Sequence, residues 1–225
     1  MKLYHGTSSR HLAKILTEGL TPRNQNQISN WEHTVESGED TVYLTNAYAL
    51  YFANQACEDE HDEYLAILEI DTDFLDENFF AADEDAVEQT SRGKDDLPPK
   101  WTVHQRTVYY RALARDYRWD QSLQALGTCG YQEIIPVEAI QRIALISLKK
   151  YAQLVWAGYD PVISVMNYGL LGHQYRWASQ WIFDADAQQE VDENNPFSAI
   201  MTMKLPEDRS GIEVLPLNQA KERFC

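Results

Sequence analysis

Leu3-Tyr4-His5-Gly6-Thr7-Ser8 opens the chain with a short apolar run, a histidine, a glycine and two hydroxyls. The pattern predicts a strand over Leu3–His5 that breaks at Gly6. A helix capped by Ser8 or Ser9 follows, with Leu12, Ile15 and Leu16 on one face and a stop at Gly19. A histidine at a strand end, followed by a residue without a Cβ, lets a ligand come close to the backbone.

Thr21 to Asp40 is rich in Asn, Gln, Ser and Gly and reads as a long loop, of the kind that often carries function. Thr41–Thr45 reads as a strand. Asn46 caps a helix running to about Ala56, with Tyr48, Tyr51 and Phe52 at helical spacing. Tyr64–Ile70 is a strand. Residues 71–99 are expected to be an acidic surface excursion with short helical pieces, and Lys100–Leu126 to be helical, with Val108, Leu113, Tyr117 and Leu123 buried. After a break at Gly127–Gly130, a strand Tyr131–Ile135 turns through Pro136 into a second strand, Arg142–Leu148. Val162–Gln189 reads as mostly helical, and Ser198–Leu205 with Gly211–Leu217 as a hairpin.

The 225 residues, 44% hydrophobic and 12% aromatic, describe a globular chain of one domain with a smaller appended piece. No apolar run approaches membrane-spanning length, and the first strand leaves no room for a cleaved leader. Three widely spaced cysteines, Cys57, Cys129 and Cys225, fit neither a zinc pattern nor a disulfide framework, so reduced thiols, a cytoplasmic location and no metal are expected. The net charge of −16 is uneven: residues 58–96 carry 2 basic and 16 acidic groups, whereas residues 97–155 carry 8 basic and 4 acidic ones. Broad binding to polyanions is disfavoured, but a local basic surface is not.

Three short motifs carry chemistry. They are His5-Gly6-Thr7, Tyr43 in Val42-Tyr43-Leu44-Thr45, and Glu133 in Tyr131-Gln132-Glu133-Ile134-Ile135-Pro136. Each has an ordinary structural role as its alternative: a surface histidine, a core aromatic, a solvent-facing acid. In this order they resemble the ADP-ribosyltransferase fold, the NAD-using family that includes the poly-ADP-ribose polymerases, the diphtheria-type toxins and the DarT toxins. The resemblance covers residues 1–150 and leaves 151–225 as a C-terminal helical and hairpin extension of unknown role.

The resemblance implies an α+β fold with a split β-sheet core and peripheral helices. It implies NAD as the ADP-ribose donor. His5 would bind a ribose, the backbone of Gly6 the nicotinamide carboxamide, and Thr7 would assist with its hydroxyl. Tyr43 would pack on the nicotinamide ring, with Tyr51 or Phe52 closing the other face, and Arg23, in preference to Arg10, would meet the pyrophosphate. Glu133, preferred over Glu138, would stabilise the ribose cation and take the proton of the attacking group. Removing such an electrostatic group costs roughly 10²–10³ in rate. The absence of a Gln-x-Glu or Glu-x-Glu pattern lowers the expectation of an arginine acceptor.

The acceptor side would be the stretch holding Lys100, Trp101, Arg106, Tyr109, Arg111, Arg115 and Trp119, where basic and aromatic residues interleave as single-stranded nucleic acid favours. An amphipathic helix with an arginine face is the alternative. The expected activity is transfer of ADP-ribose to RNA or DNA rather than protein, as a toxin or phage-defence effector with an inhibitory antitoxin partner. An RNA 2′-phosphotransferase, a protein-modifying enzyme and a catalytically dead binding module are the rivals.

Overall fold

The computed structural model describes residues 1–22, 37–57, 62–91, 101–156, 168–188 and 205–225. Its centre is β3 (Tyr64–Asp71), in which every residue from Leu65 to Ile70 is buried. Apolar side chains on both faces mean that both faces are covered. Seven strands form one antiparallel sheet in the order β4-β5-β2-β1-β3-β6-β7: β1 (Lys2–Ser8), β2 (Val42–Thr45), β4 (Phe80–Ala82), β5 (Thr128–Tyr131), β6 (Ile140–Ser147) and β7 (Ile212–Pro216) complete it. The class is therefore α+β, with eight helices among the described residues.

Alternation along the strands divides the core into two layers. Leu3, Val42, Leu44, Leu68 and Ile143 point to one face, where α1 (Leu12–Glu18) supplies Leu12, Ile15 and Leu16 and α8 (Leu217–Phe224) supplies Ala220. Tyr4, Leu65, Ile67 and Ala144 point to the other, under α2 (Ala49–Ala56) and α7 (Tyr168–Phe183). The remaining helices are α3 (Glu84–Ser91), α4 (Val103–Ala114), α5 (Trp119–Leu126) and α6 (Leu148–Trp156).

Several expectations change. β1 does not break at Gly6 but runs through it to Ser8. The missing Cβ makes room for α2: a methyl there would lie 2.0 Å from the Ala49 carbonyl oxygen and 2.4 Å from the Ala53 nitrogen. Asn46 does not cap α2. The Thr45 hydroxyl, last in β2, accepts from the backbone nitrogens of Ala47 and Tyr48 at 3.0 and 2.9 Å and donates to the Gly127 carbonyl at 2.6 Å. Gly127 ends α5 in the left-handed conformation, φ 79°, and the glycine-containing stretch after it is strand β5 rather than a break. The acidic stretch, described to Ser91, holds the expected short helical pieces (Thr72–Phe74, Glu77–Phe79 and α3) but also supplies edge strand β4, and Val108 is exposed while Thr107 and Tyr110 are the buried residues of α4.

The C-terminal stretch joins the same sheet. Gly211–Leu217 does not form a described hairpin; β7 pairs with β6, from Arg142↔Pro216 to Ile146↔Ile212, and Ser198–Lys204 lies outside the described residues. α7 is held by charge as well as packing. The Arg142 guanidinium bridges Glu69 and Asp184, with contacts of 2.6 and 2.8 Å, and Arg209 donates to the Trp181 and Ile182 carbonyls near the end of α7. Cys57, Cys129 and Cys225 are free thiols, and no described helix is long and apolar enough to cross a membrane.

Candidate functional site

The sheet is unevenly closed around β1. Toward β3 the ladder runs over seven register pairs, Lys2↔Asp71 to Ser8↔Leu65. Toward β2 it has one, Tyr4↔Thr45. Beyond that bridge no further register pair joins the two strands; Gly6 and Thr7 are buried, and the space over Gly6, expected to admit a ligand, is taken by the backbone of α2. His5 is half-buried, and its Nδ1 lies 2.9 Å from the backbone oxygen of Tyr43. That hydrogen bond fixes Nδ1 as the protonated nitrogen of the neutral ring. Burial lowers the His5 pKa, opposed by this bond, so the ring stays neutral at physiological pH.

The side chains of His5 and Tyr43 point in opposite directions. His5 pairs with Leu68 and alternates with Tyr4, which places it on the α1 face; Tyr43 alternates with Val42 and Leu44, which places it on the α2 face. Tyr51 and Phe52, half-buried on α2, pack against the core of that second face with their rings 5.7 Å apart. Three of the predicted aromatics therefore share a side of the sheet. His5 meets Tyr43 through the backbone, at the parting of the strands. Thr7 is buried on the His5 side, opposite Ala66.

Glu133 does not stand in a strand. β5 ends at Tyr131, and Gln132, Glu133 and Ile134 form an exposed bend before Ile135 bridges Leu20. The Glu133 carboxylate accepts from the Ile134 amide at 3.3 Å. Glu138 is also exposed, in the turn Val137–Ala139. Arg23 and Lys100 lie outside the described residues. Arg10 is 3.6 Å from Asp62 and donates to the Ala56 carbonyl.

A different carboxylate reaches Tyr43. The Tyr43 hydroxyl donates to Glu84 Oε2 at 2.7 Å and accepts from the Gly38 amide at 2.6 Å. Glu84 opens α3, immediately after Asp83, whose carboxylate accepts from the Asp85 amide at 2.9 Å. Burial, then the charge of Asp83, pushes the Glu84 pKa up to about 7, against the pull of Tyr43 and Arg111. Burial and the two acids drive the Tyr43 phenol well above its ordinary value, so it remains a donor. Sequence reasoning passed over Glu84 because it lies in the acidic stretch taken for surface. Phe79-Phe80-Ala81-Ala82 followed by Asp83 is nevertheless a short strand and a helix cap, and that pattern could have placed it.

Glu84 lines an open cleft of about 740 Å³ together with Gly38 to Thr41, Phe80 to Ala82, Arg111, Arg115 and Tyr117. The basic stretch of α4 borders this cleft, but its charges are largely matched within the chain. Arg106 is 3.4 Å from Glu88, Arg111 is 3.8 Å from Glu84 and donates to the Ser37 carbonyl at 2.8 Å, and Arg118 grips Asp120 through two bonds. Arg115 is exposed at the end of α4, lining the cleft. Trp101 and Tyr109 meet edge to face at 5.3 Å. Among the described residues, no group of three or more His, Cys, Asp or Glu is arranged to hold a metal ion.

No protein-family model matches the sequence, and no curated protein matches it significantly.

Proposed function

We propose that this chain is an ADP-ribosyltransferase with a split-sheet core, which takes NAD where β1 and β2 part and passes ADP-ribose to a macromolecule, nucleic acid in preference to protein. The observation that carries the reading is the one-sided pairing of β1: one register pair toward β2 against seven toward β3, with half-buried His5 just past that pair and its Nδ1 on the Tyr43 backbone oxygen. A backbone edge released from its ladder is a ready partner for an amide such as the nicotinamide carboxamide. A neutral His5 suits a ribose hydroxyl, and the Tyr43 ring with the α2 aromatics offers apolar faces to a flat base. The reading assigns the ribose-side carboxylate to Glu133.

A nucleic-acid acceptor competes with Glu88, Glu84 and Asp120 for three of the arginines, so its binding is expected to be strongly salt-dependent. A toxin or defence role with a neutralising protein partner follows from the chemistry, since such transfer damages a cell's own macromolecules. A second reading, an NAD-binding module without turnover, is favoured by the exposure of Glu133 beyond the end of β5.

Titration calorimetry with NAD, followed by incubation of labelled NAD with separate RNA, DNA and protein pools, tests both. Absence of NAD binding overturns the whole proposal. Binding without release of nicotinamide selects the module. Label in protein alone overturns the choice of acceptor.

A further inference from the structure

We infer that Glu84 is the proton acceptor on the acceptor side of this site, taking the proton from the hydroxyl or amine that attacks the ribose of NAD. The inference rests on the NAD reading above. It assigns to Glu84 a step that the sequence alone suggested for Glu133.

The geometry singles out Glu84. Its Oε2 is held by the Tyr43 hydroxyl at 2.7 Å, which ties the carboxylate to the residue proposed to face the nicotinamide. The same side chain lines the open cleft, where an acceptor can approach from solvent. Glu133, by contrast, is exposed on a bend past the end of β5. A buried carboxylate with a fixed partner is a better base than a solvated one, because an efficient general base has a pKa close to the operating pH. The charged and titratable groups around Glu84 come from each packed element: Asp83 beside it, Arg111 from α4 at 3.8 Å, Arg115 and Tyr117 lining the same cleft, Glu39 and Asp40 from the 37–40 segment, and Tyr43 from β2. The cleft is lined by three acids, Glu39, Asp40 and Glu84, and two arginines, Arg111 and Arg115, which suits a neutral or cationic attacking group.

The step balances with NAD as the only co-reactant. The acceptor oxygen or nitrogen forms a bond to ribose C1. The bond from C1 to the nicotinamide nitrogen breaks, its electron pair stays on nitrogen, and nicotinamide leaves neutral. The acceptor's proton passes to Glu84 and then to solvent.

The test compares wild type with Glu84→Gln and Glu84→Asp. Nicotinamide release from NAD is followed between pH 5 and 9, with water and then a single-stranded RNA pool as acceptors, and NAD affinity is measured by calorimetry. Wild-type rate is expected to rise with pH and level off above about 7. Glu84→Gln should lose about 10²-fold or more in rate and lose the rising limb, with NAD affinity kept, while Glu84→Asp restores part of the rate and the limb. Wild-type rate and pH profile in Glu84→Gln overturn this inference and leave the NAD reading standing. A wild-type protein that neither binds nor cleaves NAD overturns both. One that binds NAD without cleaving it overturns this inference and selects the module.

Discussion

Replacing Glu84 by Gln should make the protein more stable at alkaline pH, whatever the activity of the cleft. The carboxyl is held at about 7 in the folded chain against an ordinary 4.5, chiefly by burial and secondarily by Asp83. The folded state therefore keeps a proton that the unfolded chain gives up. Stability contributed by this group is complete below about pH 4.5 and is lost as pH rises through about 7. The full loss corresponds to about 3 kcal/mol. Gln cannot ionise, and its side-chain oxygen still accepts from Tyr43, so the variant escapes the loss without orphaning the phenol. Urea unfolding at half-unit intervals from pH 4.5 to 8.5 reads the effect. The variant and wild-type curves should nearly coincide at the acid end and separate steadily, reaching about 3 kcal/mol in favour of the variant near pH 8. Contributions from His5 and from the caps are common to both proteins and drop out of the difference. Parallel curves would mean that Glu84 is solvated, and the account of its burial would be wrong.

Gly6→Ala should destabilise the fold by about 3 kcal/mol, read as a lower urea midpoint, because the added methyl meets the backbone of α2 at 2.0 and 2.4 Å and helix backbone cannot yield cheaply. An unchanged midpoint would refute close seating of α2 on β1. Thr45→Val keeps the β-branched shape but removes the acceptor of the buried Ala47 and Tyr48 amides ahead of α2 and the bond to the Gly127 carbonyl; a loss of about 1–2 kcal/mol in thermal or urea unfolding is expected, and a neutral result would show that these bonds do not hold the entry to α2. Arg142→Met leaves Glu69, 3% exposed, with Lys2 as its remaining described cation, so about 3 kcal/mol should be lost, with increased protease sensitivity in α7 if Asp184 is also released.

Much of the secondary structure was legible because it is written in local periodicity. The apolar run Leu65–Leu68 of β3, the spacing of Leu12, Ile15 and Leu16, and the stop at Gly19 need no knowledge of the rest of the chain. Glycines misled where their reason is non-local. Gly6 is required by a helix some forty residues downstream, and neither Gly127 nor Gly130 prevents β5 from forming between and through them. In the stretch 71–99 the short helical pieces were legible but β4 was not, because its acidity, a solvent signal on average, conceals a three-residue strand that exists only by pairing with β5.

The sequence by itself determined which residues alternate within each strand and which bear chemistry, since a period of two and the side-chain inventory are properties of the chain alone. Only the tertiary structure decided how those strands stand against one another: that β1 parts from β2 after a single pair, that His5 and Tyr43 fall on opposite faces, that Glu133 lies past a strand end, and that Glu84 rather than Glu133 holds the Tyr43 hydroxyl. Register and ion pairing couple residues separated by tens of positions, and a shift of one residue would exchange the faces of a strand, so no local pattern can specify them.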